Sequence, residues 1–313
     1  MARLPPRVYL SGVEQRQELV YYDRYEQALK KEGIYGEKPL RWTYETALGR
    51  LVLEGVVKRP WFSRHYGKWA DCGCSKKEVE PFIERFGLDP EEFAVPADSF
   101  STFNEFFSRE LKPEARPLAP NPDAVSFPAD GRHLFIPNLS EAGHIWAKGQ
   151  RFDLPGFLGD KDLAEKFSHG SALISRLCPT DYHRFHFPLD GIPRKPHLIN
   201  GALYSVNPIA LSRSLGYLWQ NKRRITTVAE SPVGEYLFLE IGATNVGSIV
   251  DTSAPNASVA RGDEKGYFRF GGSMVMVLFP ESSIRPAEDL AKYSAQGIEL
   301  YGKVGDVAGS VLK

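Results

Sequence analysis

Three absences bound the possibilities. Net charge is missing, because 39 Lys and Arg balance 39 Asp and Glu, so no general attraction to a polyanion is built in and nucleic acid is not an expected partner. Cysteine is scarce and odd in number: Cys72, Cys74 and Cys178. That argues against a disulfide scaffold and for a reducing compartment. Cys72-Gly73-Cys74 has no second pair to complete a metal site, so no metal is expected there. Long apolar runs are absent too: no stretch approaches the roughly 18 residues that a membrane-crossing helix needs. The start, Met1-Ala2-Arg3-Leu4-Pro5-Pro6, has no apolar core of a secretory signal. A location on a membrane surface, at its cytoplasmic face, stays open.

What is present is ordinary for a folded chain: 313 residues, 12% aromatic and 25% charged, enough for one large or two modest domains. The organising stretch is Phe268-Arg-Phe-Gly-Gly-Ser-Met-Val-Met-Val-Leu-Phe279. Val275, Val277 and Phe279 alternate with Met274, Met276 and Leu278, which predicts a strand buried on both faces. Gly271-Gly272-Ser273 at its mouth reads either as a bulge or as a place where a hydroxyl can approach a carbonyl.

Residues 1–36 form an N-terminal extension with no assigned pattern. Trp42, Ala47, Leu48, Leu51, Val52, Leu53, Val56 and Val57 fall at helical spacing. Lys58-Arg-Pro-Trp-Phe-Ser-Arg-His-Tyr-Gly-Lys68 interleaves rings with cations, as an interfacial segment does, although a helical hairpin on the protein's own core has the same pattern. Capping-box spacing predicts helix starts at Ser75 and at Thr102, the first ending at Gly87. Five prolines between Pro113 and Pro128 then separate a helical region, 37–111, from a β-rich core, 112–313. The expected fold class is α+β, a largely antiparallel, barrel-like core with helices toward the N-terminus.

Three polar spots stand out in the β region: Asp130 in Pro128-Ala-Asp-Gly131, His183 and His186 in Asp181-Tyr-His-Arg-Phe-His186, and Ser273. Asp-Gly is a common turn dipeptide, and the two histidines suit metal ligation, acid/base work or a half-buried structural role. Asp, His and Ser also make the parts of a nucleophilic triad. A serine hydrolase, however, places its serine on a strand-to-helix elbow, whereas here a strand follows Ser273.

Together these motifs resemble the phosphatidylserine decarboxylase family. Further stretches are similar to it: Phe103-Asn-Glu-Phe-Phe-Ser-Arg-Glu-Leu-Lys-Pro113, Ala147-Lys-Gly149, Tyr204-Ser-Val-Asn207 and Gly242-Ala-Thr-Asn-Val-Gly-Ser-Ile249. One departure is Met274, where the family usually has threonine. The resemblance implies a proenzyme that cuts itself between Gly272 and Ser273, into a β chain 1–272 and an α chain 273–313 that stay associated. It implies that Asp130 orients His186, that His186 deprotonates Ser273, and that the hydroxyl attacks the Gly272 carbonyl. A pyruvoyl cofactor then arises from Ser273 and forms a Schiff base with phosphatidylserine in anionic membranes, releasing CO2 and leaving phosphatidylethanolamine. His183 is the candidate acid that returns a proton. Homodimerisation is a further implication. Related readings are a pyruvoyl enzyme acting on a soluble amino acid and a lipid-binding member that no longer cleaves.

Overall fold

The computed structural model describes residues 19–34, 36–141, 153–214, 216–244, 249–271 and 273–312. Gly272 and the Ala147–Gly149 and 245–248 parts of the motifs lie outside them, as do residues 1–18. The strands are β1 (Val20–Asp23), β2 (Ala28–Lys31), β3 (Ala124–Ser126), β4 (Gly131–Ile136), β5 (Ser171–Leu177), β6 (Arg184–His186), β7 (Ile192–Pro193) and β8 (His197–Ile199). They continue with β9 (Arg223–Ser231), β10 (Gly234–Ile241), β11 (Ile249–Asp251), β12 (Glu264–Phe268), β13 (Ser273–Phe279), β14 (Ile284–Pro286), β15 (Glu299–Gly302) and β16 (Val307–Val311).

The alternation in β13 does what its pattern predicts, since all seven of its residues are buried. Val275, Val277 and Phe279 join Phe185, Phe187, Phe238 and Phe268 on one face. Met274, Met276 and Leu278 join Leu237, Ile241 and Phe157 on the other. β13 lies mid-sheet, antiparallel to both β5 and β10, in a ten-stranded sheet ordered β2-β1-β15-β4-β5-β13-β10-β9-β7 with β8 also on β9. The β1–β15 pair is parallel. Two three-stranded sheets, β11-β12-β6 and β14-β16-β3, complete the β structure.

The architecture is α+β and mostly antiparallel, as expected, but the large sheet stays open rather than closing into a barrel. Its ends resist further pairing: β2 carries Lys30 and Lys31, and β7 is a two-residue strand ending in Pro193. The unassigned extension contributes the β1–β2 hairpin at one of these ends.

Helices α1 (Glu37–Glu45), α2 (Ala47–Val52), α3 (Pro60–Ala70), α4 (Val79–Phe86) and α5 (Phe103–Phe107) form the front of the chain. The apolar pattern from Trp42 to Val57 is not one helix. Thr46 turns extended at ψ 152° and caps α2 by accepting the Gly49 N–H at 2.9 Å. A Cβ on Gly49 would lie 2.0 Å from the Trp42 carbonyl oxygen, so the break is built around a glycine. Ser75 is not an N-cap either. It is fully buried, and its Oγ accepts the Phe103 N–H at 2.9 Å and donates to the Cys72 carbonyl at 2.7 Å, stapling the Gly73–Glu78 3-10 turn to α5. The other two signals hold: α4 ends on left-handed Gly87, φ 61°, and Thr102 Oγ1 accepts the Glu105 N–H at 3.1 Å.

Phe82, Phe103, Phe106, Phe107 and Phe270 make one aromatic cluster, so the residues just ahead of Ser273 are seated in the helical front. Phe106 is fully buried at its centre. Phe106→Ala is expected to lower stability by about 3–5 kcal/mol, read by denaturant unfolding; a loss below about 1 kcal/mol would mean the cluster does not hold the front in place.

Candidate active site

Ser273 opens β13 and is fully buried. Its Oγ lies 3.4 Å from His183 Nδ1. The other ring nitrogen of His183, Nε2, is 2.9 Å from the Cys178 carbonyl oxygen. A carbonyl only accepts, so Nε2 carries the hydrogen and, in the neutral ring, Nδ1 presents a lone pair to the serine hydroxyl. The ring is neutral: burial holds its pKa down to about 3, against the upward pull of the Cys178 carbonyl and with a smaller downward push from Arg109. Phe107 of α5 stacks on the imidazole at 3.8 Å between centroids, and Phe268 donates its N–H to the His183 carbonyl at 3.0 Å. Orientation, tautomer and charge of this ring are therefore set on every side.

The carbonyl that sets them is itself held. Asp181 accepts the Cys178 N–H at 2.7 Å and donates its own N–H to the Cys178 carbonyl at 2.9 Å, closing a tight turn. Arg132 Nη1 meets both Asp181 oxygens at 2.7 and 2.6 Å, and its guanidinium lies over the rings of Tyr21 and Tyr301, 4.9 and 5.1 Å from their centroids. Neither Phe107 nor the Cys178 carbonyl is a sequence-predicted site group. Asp181 sits inside the recognised motif, and the Cys-Pro-Thr-Asp spacing of a side-chain-closed turn is the signal that points to it.

The other two predicted residues sit differently from the expected relay. Asp130 is buried, but Arg116 Nε and Nη2 take its carboxylate at 3.0, 2.9 and 2.6 Å, and the Val304 N–H adds a bond at 2.8 Å. His186 does not bond to it. His186 Nδ1 donates to the Gly262 carbonyl at 2.9 Å, and its Nε2 is buried with no partner among the described residues. Burial also lowers the His186 pKa, with the Gly262 bond and then the charges of Glu264 and Asp130 opposing. Of the four residues, the structure thus brings Ser273 and His183 together. Asp130–His186–Ser273 is not a hydrogen-bonded chain. The β6 strand explains why: two ring positions three apart in an extended segment point to different surroundings.

Beside Gly271 a cavity of about 370 Å³ runs between the helical front and the sheet. Leu40 and Tyr44 of α1, Phe62 and Tyr66 of α3, and Cys178 and Thr180 of the turn line it, with Ser205, Asn207 and Thr244 from two of the recognised stretches. Tyr44 ties α1 to that wall, accepting the Ser205 N–H at 2.7 Å. The helices that line the cavity present apolar groups outward: Trp42 and Trp61 are 43% and 55% exposed, and Leu48 and Leu51 of the intervening α2 are 62% and 71% exposed. No helix among the described residues is long and apolar enough to cross a membrane. Met274 packs into the face opposite Ser273.

Comparison with known proteins identifies the family. The family model described as phosphatidylserine decarboxylase matches residues 103–296. Proteins named phosphatidylserine decarboxylase proenzyme are similar over nearly the whole chain. The one from Chlamydia pneumoniae is 42% identical over 92% of this chain and 96% of its own length. Those from Chlamydia muridarum and Desulfitobacterium hafniense (strain Y51) are 41% and 40% identical, over 94% and 92% of this chain and 97% of their own lengths. With Ser273 and both histidines inside the span matched by the family model, and relatives about 40% identical over nearly the whole chain, the chain belongs to the phosphatidylserine decarboxylase family.

Proposed function

We propose that this protein is a self-cleaving, pyruvoyl-dependent enzyme that converts phosphatidylserine to phosphatidylethanolamine and CO2 at a membrane surface. The observation that carries the reading is the Ser273 hydroxyl facing the free lone pair of a neutral, tautomer-fixed His183. Such a ring accepts the hydroxyl proton as the oxygen attacks the carbonyl of residue 272, exchanging an amide for an ester. Elimination of that ester and addition of water, with loss of ammonia, leave a ketone on residue 273. The 3.4 Å separation suits a pair that tightens only as the reaction begins.

The surroundings of Ser273 fit a pyruvoyl group. The residue is buried, two residues from a cavity, and has an acid/base ring at its side chain. When present, that group supplies an electrophilic ketone for a substrate amine and a sink for the electron pair released with CO2. His183, rather than His186, is the ring placed to hold a proton there and return it. β13 remains paired with β5 and β10 after a cut ahead of it, so the two chains stay together. The exposed Trp42, Leu48, Leu51 and Trp61 favour a lipid over a soluble amino acid, because they place apolar surface on α1 and α3, which border the cavity, and on α2 between them.

Intact mass under denaturing conditions is expected to show two chains, 1–272 and 273–313, which co-elute under native conditions. Ser273→Ala should give one chain, and His183→Ala should slow the cut by about 10²–10⁴-fold, more than His186→Ala does. The reverse order would transfer the base role to His186. Leu48→Asp with Leu51→Asp should weaken flotation with phosphatidylserine vesicles while cleavage proceeds as in the parent; undiminished flotation would count against the lipid surface.

The buried rings also dictate a pH dependence. Burial holds His183 and His133 down to about 3, whereas the unfolded rings titrate near 6.5. Below 6.5 the unfolded chain takes up protons that the folded chain refuses, so stability is complete above that pH and falls as pH drops toward 3. The steepest loss is about 1.4 kcal/mol per pH unit for each ring. Urea unfolding of single-chain Ser273→Ala at about pH 7 and about pH 5 checks it, and equal midpoints would show that neither ring is held below its unfolded pKa in the fold.

A further inference from the structure

The Cys72-Gly73-Cys74 segment takes no part in the chemistry above. It forms the turn between α3 and α4, with both thiols exposed. Cys72 is extended at φ −77° and ψ 138°, and its Sγ accepts the Cys74 N–H at 3.3 Å. Cys74, through its side chain and its N–H, draws the Cys72 thiol below its ordinary value, and Cys72 pushes the Cys74 thiol up. One thiol of the pair is therefore the better nucleophile and the other the better reserve. The residue between them is a glycine with nothing within 4 Å of where its Cβ would be, so the linking peptide has room to rotate.

We propose that Cys72 and Cys74 are a redox modification site that closes reversibly into an internal disulfide on meeting a low-molecular-weight disulfide. The Cys72 thiolate attacks one reagent sulfur, forming a mixed disulfide and releasing the first reagent thiolate. Cys74 then attacks the Cys72 sulfur, the S–S bond forms within the chain, and the second reagent thiolate leaves. Two protein thiols are oxidised, one reagent disulfide is reduced to two thiols, and the two cysteine protons pass to the leaving groups. In a reducing compartment such a bond is transient and reports on the thiol pool.

The turn is wired to the strand end that precedes Ser273. On one side of the pair, Asp71 Oδ1 accepts from Asn104 Nδ2 at 2.7 Å and from Arg269 Nη2 at 2.6 Å, and Asn104 Oδ1 accepts the Phe270 N–H at 2.9 Å. On the other side, buried Ser75 holds the Phe103 N–H at 2.9 Å. Cys72 is extended, ahead of the 3-10 turn, whereas Cys74 lies inside it. Drawing their sulfurs to a bond of about 2.05 Å therefore pulls Cys74 out of the 3-10 turn and displaces Asp71 and Ser75, so closure loosens the Phe270 anchor. Neither part of this inference requires the decarboxylase reading.

The test is full-length protein incubated with oxidised glutathione, followed by peptide mapping and hydrogen exchange. The expected product has lost two hydrogen atoms in the Cys72–Cys74 peptide, is restored by dithiothreitol and is absent from Cys72→Ser and Cys74→Ser. Peptides covering Phe270 should exchange at least about 3-fold faster in the oxidised protein. Stable glutathione adducts on both thiols, or thiols that stay free, would overturn the site. Unchanged exchange at Phe270 in fully oxidised protein would overturn the coupling.

Discussion

The hydrogen bond from His183 Nε2 to the Cys178 carbonyl decides what the rest of the site can do. Without a committed partner on Nε2, the proton could sit on either nitrogen and the serine would face a lone pair only part of the time. That bond needs a carbonyl in a fixed place, which the Asp181 turn supplies. The turn in turn needs a cation to keep a buried carboxylate in place, which Arg132 supplies. Arg132 rests against Tyr21 from β1 and Tyr301 from β15. A tautomer at the centre of the molecule thus rests on rings contributed by both ends of the described chain.

Burial plays two parts here, and they pull in the same direction. It strips the imidazole of its charge, leaving a base that is free to accept a proton throughout the neutral range. It also excludes water from Ser273, so that the hydroxyl has the ring as its hydrogen-bond partner. The helical front contributes to this exclusion directly: Phe107 covers the face of His183, and Phe270, next to the glycines, is packed between Tyr66, Phe103 and Phe107. The helices that border the cavity and the helix that covers His183 belong to the same helical front.

Much of this was legible in the residues, and the limits are physical. Period-two alternation named β13 and its two faces because both faces are buried, which leaves no ambiguity of register. The motif around Asp181 and the two histidines pointed to the loop that meets Ser273. It did not say which ring meets Ser273, since that depends on how β6 sits against the large sheet, a contact spanning 90 residues of sequence. Ser75 and Thr102 carry the same local signal, yet only Thr102 caps, because Ser75 is drawn into a long-range bond with Phe103. The break at Thr46 went unread for a related reason: the apolar spacing continues across it, and only the close approach of Gly49 to Trp42 shows where the helix stops. Phe107 was visible as an apolar helix position but not as the lid of an imidazole.

The order of strands in the large sheet carries a consequence for the timing of biosynthesis. β13 is sandwiched between β5 and β10, while β15, further along the chain, lies between β1 and β4 and brings Tyr301 to Arg132. The clamp that steadies the Asp181 turn is therefore incomplete until residues close to the C-terminus have left the ribosome and docked beside a strand made near the beginning. Under the proposed self-cleavage, a cut ahead of Ser273 governed by His183 would act as a checkpoint, waiting until β15 has docked beside β1 and β4.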